Sequence, residues 1–123
     1  MRRVLRPPMP FVSNGAGRLY YEVLGSPEAP PLVLVRVLAR SHRYWLGFAE
    51  LMAKDFHVLI LDNRGVGQSS APRPPYSTRS MADDIATVMD AAGFEKAHYF
   101  GLSLAGMIGQ WFAIRHPHRV MSL

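Results

Sequence analysis

The chain has 123 residues and no cysteine, which excludes disulfide bonds and thiolate chemistry and suits the cytoplasm. Hydrophobic residues make up 49% of the sequence, as in a globular domain. The net charge is +5, and three of these charges come from Arg2, Arg3 and Arg6; the other basic residues are scattered along the chain, so we predict no nucleic-acid partner. The longest apolar stretch, near residues 31–39, is shorter than the roughly 20 residues of a membrane-spanning helix, and we predict no membrane contact.

The first third of the chain predicts a lead-in, a hairpin and a buried strand. Residues 1–10 are basic and proline-rich, and we expect a flexible lead-in before one domain over residues 11–123. Asn14-Gly15 is a turn signal between two short extended runs and predicts a hairpin. The aliphatic run Leu32–Val35 is typical of a strand buried on both faces, as in a parallel sheet.

The rest of the chain alternates helical and extended patterns. In chain order we predict a helix over 43–54, a strand over Val58–Leu61, a helix from Ser80 to Gly93, a strand over Ala97–Phe100, a helix over Leu104–Arg115 and a strand beginning near Val120. Ser80 with Asp83 resembles an N-terminal capping box, and Gly93 suits a C-terminal cap. Strands that alternate with helices of this length predict an α/β fold, with a mostly parallel sheet and flanking helices.

A serine stands at the junction between the predicted strand over Ala97–Phe100 and the helix that follows it. The sequence there is Gly101-Leu102-Ser103-Leu104-Ala105-Gly106. A serine on a tight strand-to-helix turn is exposed at the carboxyl edge of the sheet, and free N–H groups at the helix start can stabilise an oxyanion. This is the G-x-S-x-G nucleophile elbow, with Ala105 in place of the last glycine. The alternative is that Ser103 only caps the helix with its side chain.

A second motif, Asp62-Asn63-Arg64-Gly65-Val66-Gly67-Gln68-Ser69, directly follows an apolar strand. A dinucleotide-binding loop would carry G-x-G-x-x-G and open a helix. Here Ser70 stands where the third glycine belongs, and prolines at positions 72, 74 and 75 are incompatible with a helix. Nucleotide binding is therefore the weaker interpretation of this loop.

Together the two motifs, at this separation, resemble the N-terminal half of the α/β-hydrolase superfamily, and more narrowly its esterase, C–C hydrolase and iminopeptidase-like branch. The resemblance runs from about residue 11 to the end of the chain and implies a truncated α/β-hydrolase fold with an N-terminal hairpin. It also implies a serine hydrolase that cleaves an ester, amide or related carbonyl substrate through an acyl-enzyme. By position, Ser103 is the nucleophile, and the N–H groups of Leu104 and Leu38 are the oxyanion donors. No cofactor and no metal are implied, and the Asp62–Ser69 loop is architectural.

The chain departs from the family pattern in its two catalytic turns. Val37, Ala39 and Ala105 occupy positions that are usually glycine in the family. A β-branched residue such as Val37 strongly resists a positive φ, so the oxyanion turn near Leu38 is in question.

The acid and the base of the catalytic triad are also missing from the chain. In this fold they follow the serine in the order acid, then histidine, but only one helix and a strand start follow Ser103. His116 and His118 lie beyond a helix that is roughly 18 Å long, and His42 is the one histidine placed to approach the serine. We therefore predict little hydrolase activity for the chain alone. The alternative is a non-catalytic hydrolase-like module that binds a partner or self-associates through an exposed sheet edge.

Overall fold

A computed structural model describes residues 4–5, 11–13, 17–35, 47–69 and 76–123. These residues form one seven-stranded sheet with helices on both faces. The strands are β1 (Val4–Leu5), β2 (Phe11–Ser13), β3 (Arg18–Leu24), β4 (Pro31–Val35), β5 (His57–Leu61), β6 (Ala97–Gly101) and β7 (Val120–Ser122). The helices are α1 (Phe48–Met52), α2 (Thr78–Ala92) and α3 (Leu104–Arg115), with a short 3-10 helix at Pro117–Arg119.

The sheet is antiparallel at its beginning and parallel in the half that carries the serine. Its order is β1-β3-β5-β4-β6-β7, and β2 pairs with β3 as the predicted hairpin. β4, β5, β6 and β7 run parallel, so their carboxyl ends share one edge. In this register Val35 lies beside Gly101, which places the end of β4 next to the serine turn.

Two hydrophobic cores explain why β4 and β5 read as continuous apolar runs. Val33 and Val35 face a larger core that the sheet shares with α2 and α3, whereas Leu32 and Leu34 face a smaller core under α1. Successive side chains of a strand point to opposite faces, so a strand covered on both sides needs apolar residues at every position. The prediction of an α/β fold with a parallel, doubly covered sheet is confirmed.

The helix boundaries differ from the predictions in two places. The helix expected over 43–54 is described only as Phe48–Met52, and residues 36–46 lie outside the described part of the chain. The cap of α2 is Ser77, not Ser80: the Ser77 side chain accepts the Ser80 N–H at 3.0 Å, and the Ser80 hydroxyl donates back to the Ser77 carbonyl. The C-terminal cap at Gly93 is confirmed, with a φ of 79°.

The two edge strands of the sheet, β1 and β7, form pairs that the sequence patterns did not predict. Val4–Leu5 pair with β3 and extend the antiparallel side of the sheet, within the segment that was expected to be a lead-in. β7 pairs with the first half of β6, through Ala97 and His98, and covers part of the edge that was expected to be open. No helix among the described residues is long and apolar enough to cross a membrane.

Candidate active site

Ser103 lies between β6 and α3 in a backbone conformation that side chains rarely adopt. Its φ is 56° and its ψ is −121°, and it is the one non-glycine residue with positive φ in the described part of the chain. Such a conformation costs on the order of 1–3 kcal/mol and persists where the surroundings enforce it, which is most often at functional sites. The exposed side chain makes no capping hydrogen bond to α3. The alternative in which Ser103 only caps the helix therefore has no support in the geometry.

Close contact between β6 and α3 produces this turn. A Cβ atom on Gly101 would lie 2.7 Å from the Ala105 carbonyl oxygen and 2.8 Å from the Tyr99 ring, so only glycine fits there. Ala105, which replaces the last glycine of the motif, is fully buried in the larger core. Its methyl group fits beneath the helix, so this departure from the family pattern leaves the turn intact.

The start of α3 offers an oxyanion donor beside the serine. The N–H of Ala105 donates to the Leu102 carbonyl, and the N–H of Gly106 donates to the Ser103 carbonyl. The N–H of Leu104 has no acceptor among the described residues. A free N–H at the positive end of a helix dipole is suited to bind a developing negative charge.

The second predicted donor, Leu38, lies outside the described residues, together with Val37, Ala39 and His42. The described neighbour is Val35, the last residue of β4, which pairs with Gly101. The described part of β4 therefore ends beside the serine turn. The role of Leu38 stays a prediction.

The polar groups of the Asp62–Ser69 loop form hydrogen bonds within the loop and to strand β3. The buried Asp62 carboxylate accepts the Gln68 N–H at 2.9 Å. The Ser69 hydroxyl donates to the Asp62 carbonyl at 2.6 Å and accepts the Tyr20 N–H of β3 at 2.9 Å. These groups bind to one another, which agrees with the architectural role that the resemblance implies.

Arg64 connects this loop to α2. Its guanidinium forms two parallel hydrogen bonds of 2.7 and 2.8 Å to Asp84, whose side chain is nearly buried. The hydrogen bonds to Asp84 raise the pKa of Arg64 above its usual value, so the guanidinium stays charged. A two-pronged pair of this kind fixes orientation as well as distance.

Three of the histidines make contacts away from Ser103. His57 stacks on Phe94 with ring centroids 4.4 Å apart, His98 bonds to the Ser122 hydroxyl at 2.6 Å, and His116 bonds to Asp83 at 2.8 Å. Burial lowers the pKa of His57, which favours its neutral form. Within the described ranges no group of three histidine or acidic side chains is placed to hold a metal ion.

Two open cavities of about 420 and 350 Å³ lie at the opposite edge of the sheet from Ser103. They share Gly93, Phe94 and Glu95, which precede β6, whereas Ser103 follows it. Neither cavity can present a substrate to the serine.

Comparison with known proteins identifies the family of the chain. Residues 30–123 match the family model of the alpha/beta hydrolase fold. The chain therefore belongs to the α/β-hydrolase family.

The individual proteins that the chain is similar to are described as hydrolases or lactone-degrading enzymes. The chain is 36% identical to the "Putative carbamate hydrolase RutD" of Azorhizobium caulinodans over 115 residues, which are 94% of the chain and 43% of the relative. Among solved structures it is similar to Est816, described as an N-acyl homoserine lactone degrading enzyme, with a TM-score of 0.85 and 33% identity over 91% of this chain and 42% of that one. It is also similar to the enol-lactonase of Burkholderia xenovorans LB400, with a TM-score of 0.84 and 32% identity over 90% of this chain and 44% of that one. The chain thus spans less than half the length of these relatives.

Proposed function

We propose that this chain carries the nucleophile of a serine hydrolase that cleaves an ester, amide or related carbonyl compound through an acyl-enzyme. Ser103 would attack the carbonyl carbon, and the Leu104 N–H would bind the resulting oxyanion. The carbonyl then re-forms as the alcohol or amine departs, and water releases the acyl group from Ser103.

The observation that carries the proposal is the backbone of Ser103. A serine that costs conformational energy, exposes its hydroxyl and makes no cap bond has no structural task in the described contacts. The names of the relatives support the substrate class, because a carbamate, an N-acyl homoserine lactone and an enol-lactone all contain an acyl carbonyl.

We further propose that the 123 residues alone turn over little substrate. The serine hydroxyl needs a general base to become a good nucleophile at neutral pH. His98 is hydrogen-bonded to Ser122 and His116 to Asp83. His57 is the first residue of β5, so it lies at the amino end of that strand, away from the edge that carries Ser103. A turnover rate on a simple ester that falls sharply in Ser103→Ala would contradict this part of the proposal.

The test uses the protein as its source cells make it, isolated with an antibody against the denatured chain. Its intact mass is measured before and after reaction with a fluorophosphonate, which forms a covalent adduct with an activated serine. We expect a product heavier than 13.8 kDa, because the chain spans less than half the length of its relatives. We expect the wild-type product to carry one adduct, on Ser103, and the Ser103→Ala variant to carry none. A longer product whose Ser103 does not react would overturn the proposal.

A second candidate is a non-catalytic module that associates with a copy of itself. The observation in its favour is apolar surface on α3 and just after β7, where Met107, Ile114 and Leu123 are more than half exposed. A native product of 13.8 kDa that is unreactive at Ser103 and sediments as a dimer would favour this function. A charged residue in place of Ile114 should then dissociate the dimer.

A further inference from the structure

Tyr99 lies directly beneath the serine turn and binds the start of α3. Its hydroxyl donates to the Ala105 carbonyl oxygen at 2.7 Å, two residues after Ser103. The side chain is almost completely buried, and its ring stacks on Phe112 at a centroid distance of 5.9 Å. Tyr99 therefore contacts both the first turn of α3 and its last turns.

Two glycines beside the ring allow this close approach. A Cβ atom on Gly101 would lie 2.8 Å from the Tyr99 ring, and one on Gly109 would lie 2.6 Å from it. The ring thus fills the space between the end of β6 and the middle of α3. A side chain in this position sets the distance between the strand and the helix, and Ser103 is the residue that must connect them.

The phenol remains a hydrogen-bond donor under all ordinary conditions. Burial raises the pKa of Tyr99 far above its usual value of 10.0, so the hydroxyl stays protonated. The Ala105 carbonyl belongs to the first turn of α3, whose early N–H groups bond back to Leu102 and Ser103. A restraint on this carbonyl is a restraint on the whole turn.

We propose that Tyr99 is a positioning residue for the nucleophile turn, and that its hydroxyl keeps the first turn of α3 where Ser103 and the Leu104 N–H can act on one substrate carbonyl. The inference deepens the proposed function and rests on it for the catalytic consequence. The positional consequence is independent of it: without the hydroxyl, the turn opens more often.

The test compares Tyr99→Phe with Tyr20→Phe. Both changes remove one phenol hydroxyl from a buried tyrosine, and the Tyr20 hydroxyl donates to Glu22 at 2.8 Å on β3, on the far side of β4 and β5 from β6. Amide hydrogen exchange of Ala105–Met107 is measured in each variant and corrected for its global stability. We expect Tyr99→Phe to speed this exchange on the order of tenfold and Tyr20→Phe to leave it unchanged. Equal exchange in the two variants would overturn the inference.

A second measurement tests the catalytic consequence. It is the rate at which a fluorophosphonate reacts with Ser103 in the protein as its source cells make it. We expect Tyr99→Phe to lower this rate on the order of tenfold, while Tyr20→Phe reacts like the wild type. Equal reaction rates in Tyr99→Phe and the wild type would overturn the catalytic consequence alone. A wild-type Ser103 that does not react would overturn the proposed function, and hydrogen exchange would still decide whether Tyr99 positions the turn.

Discussion

Two turns follow the parallel strands β5 and β6, on either side of β4 and at the same edge of the sheet, and they differ in where the backbone strain falls. In the Asp62–Ser69 loop after β5, the positive φ angles belong to glycines, at Gly65 and Gly67. In the turn after β6, the positive φ belongs to Ser103. Glycine adopts such angles at little cost, whereas serine does not. The first turn therefore relieves strain, and the second one retains it.

The two turns also differ in whether their polar groups are hydrogen-bonded. In the loop after β5, the Asp62 carboxylate and the Ser69 hydroxyl are buried and bind other groups of the loop and of β3. In the turn after β6, the Ser103 hydroxyl is exposed and makes no cap bond, and the Leu104 N–H has no acceptor among the described residues. Polar groups that stay unpaired at an energetic cost are typical of functional sites, whereas polar groups that bind one another stabilise the fold.

The largest expected effect is that of a methyl group on the architectural turn. In Gly67→Ala the new Cβ atom would lie 2.3 Å from the Asp62 carboxylate, at a φ of 55°. Strain and displacement of a buried carboxylate together should cost about 3 kcal/mol of unfolding free energy, measured by urea denaturation. Gly93→Ala is the matched control, because its φ is also positive and its Cβ atom would meet nothing within 4 Å. Equal losses in the two variants would show that the Asp62 contact contributes nothing.

The same substitution at the two serines should have unequal effects on stability. Ser69→Ala removes the buried hydroxyl that accepts the Tyr20 N–H and donates to the Asp62 carbonyl, which should cost about 2 kcal/mol of unfolding free energy. Ser103→Ala removes an exposed hydroxyl with no cap bond and should change it by less than about 0.5 kcal/mol. If Ser103→Ala proved as costly as Ser69→Ala, the serine turn would be architectural too.

Relief of the strain at Ser103 should stabilise the chain. Ser103→Gly can adopt a φ of 56° without steric cost, and we expect a gain of about 1 kcal/mol after the entropy of glycine in the unfolded chain is subtracted. Ser103→Ala retains the strain and is the control. Thermal and urea unfolding of the two variants measure the difference. A Ser103→Gly variant no more stable than Ser103→Ala would mean that the turn stores no strain.

Much of this architecture could be predicted from local sequence patterns. The apolar runs of β4 and β5 indicate strands buried on both faces, and Gly101-Leu102-Ser103 indicates a tight turn from strand to helix. The cap of α2 could not be predicted in the same way, because Ser77, Thr78 and Ser80 are all capable of capping and the choice depends on where the chain enters the helix.

Contacts between distant residues were beyond the sequence patterns altogether. Tyr99 reads as an ordinary buried strand residue, and nothing in its neighbours indicates that its hydroxyl reaches Ala105 on the next helix. The pair formed by Asp83 and Arg115 joins residues 32 positions apart, on α2 and α3. Such contacts depend on the packing of the two helices, which local patterns do not encode.

The smallest expected effect belongs to the far end of α3, where ion pairs rather than a strained turn hold the helix. Arg115 and His116 both bond to Asp83, and the Arg115 bond in particular holds the pKa of Asp83 below its usual value of 3.8. A carboxylate with a lowered folded-state pKa stabilises the fold above its unfolded pKa, and this stabilisation is lost as the pH falls through the folded value. Because the Asp83 side chain is 41% exposed, the contribution should stay below about 1 kcal/mol. Urea unfolding of the wild type and Asp83→Asn should therefore differ at pH 6 and converge towards pH 3, and a difference that does not change with pH would show that the Asp83 charge contributes nothing to holding α3.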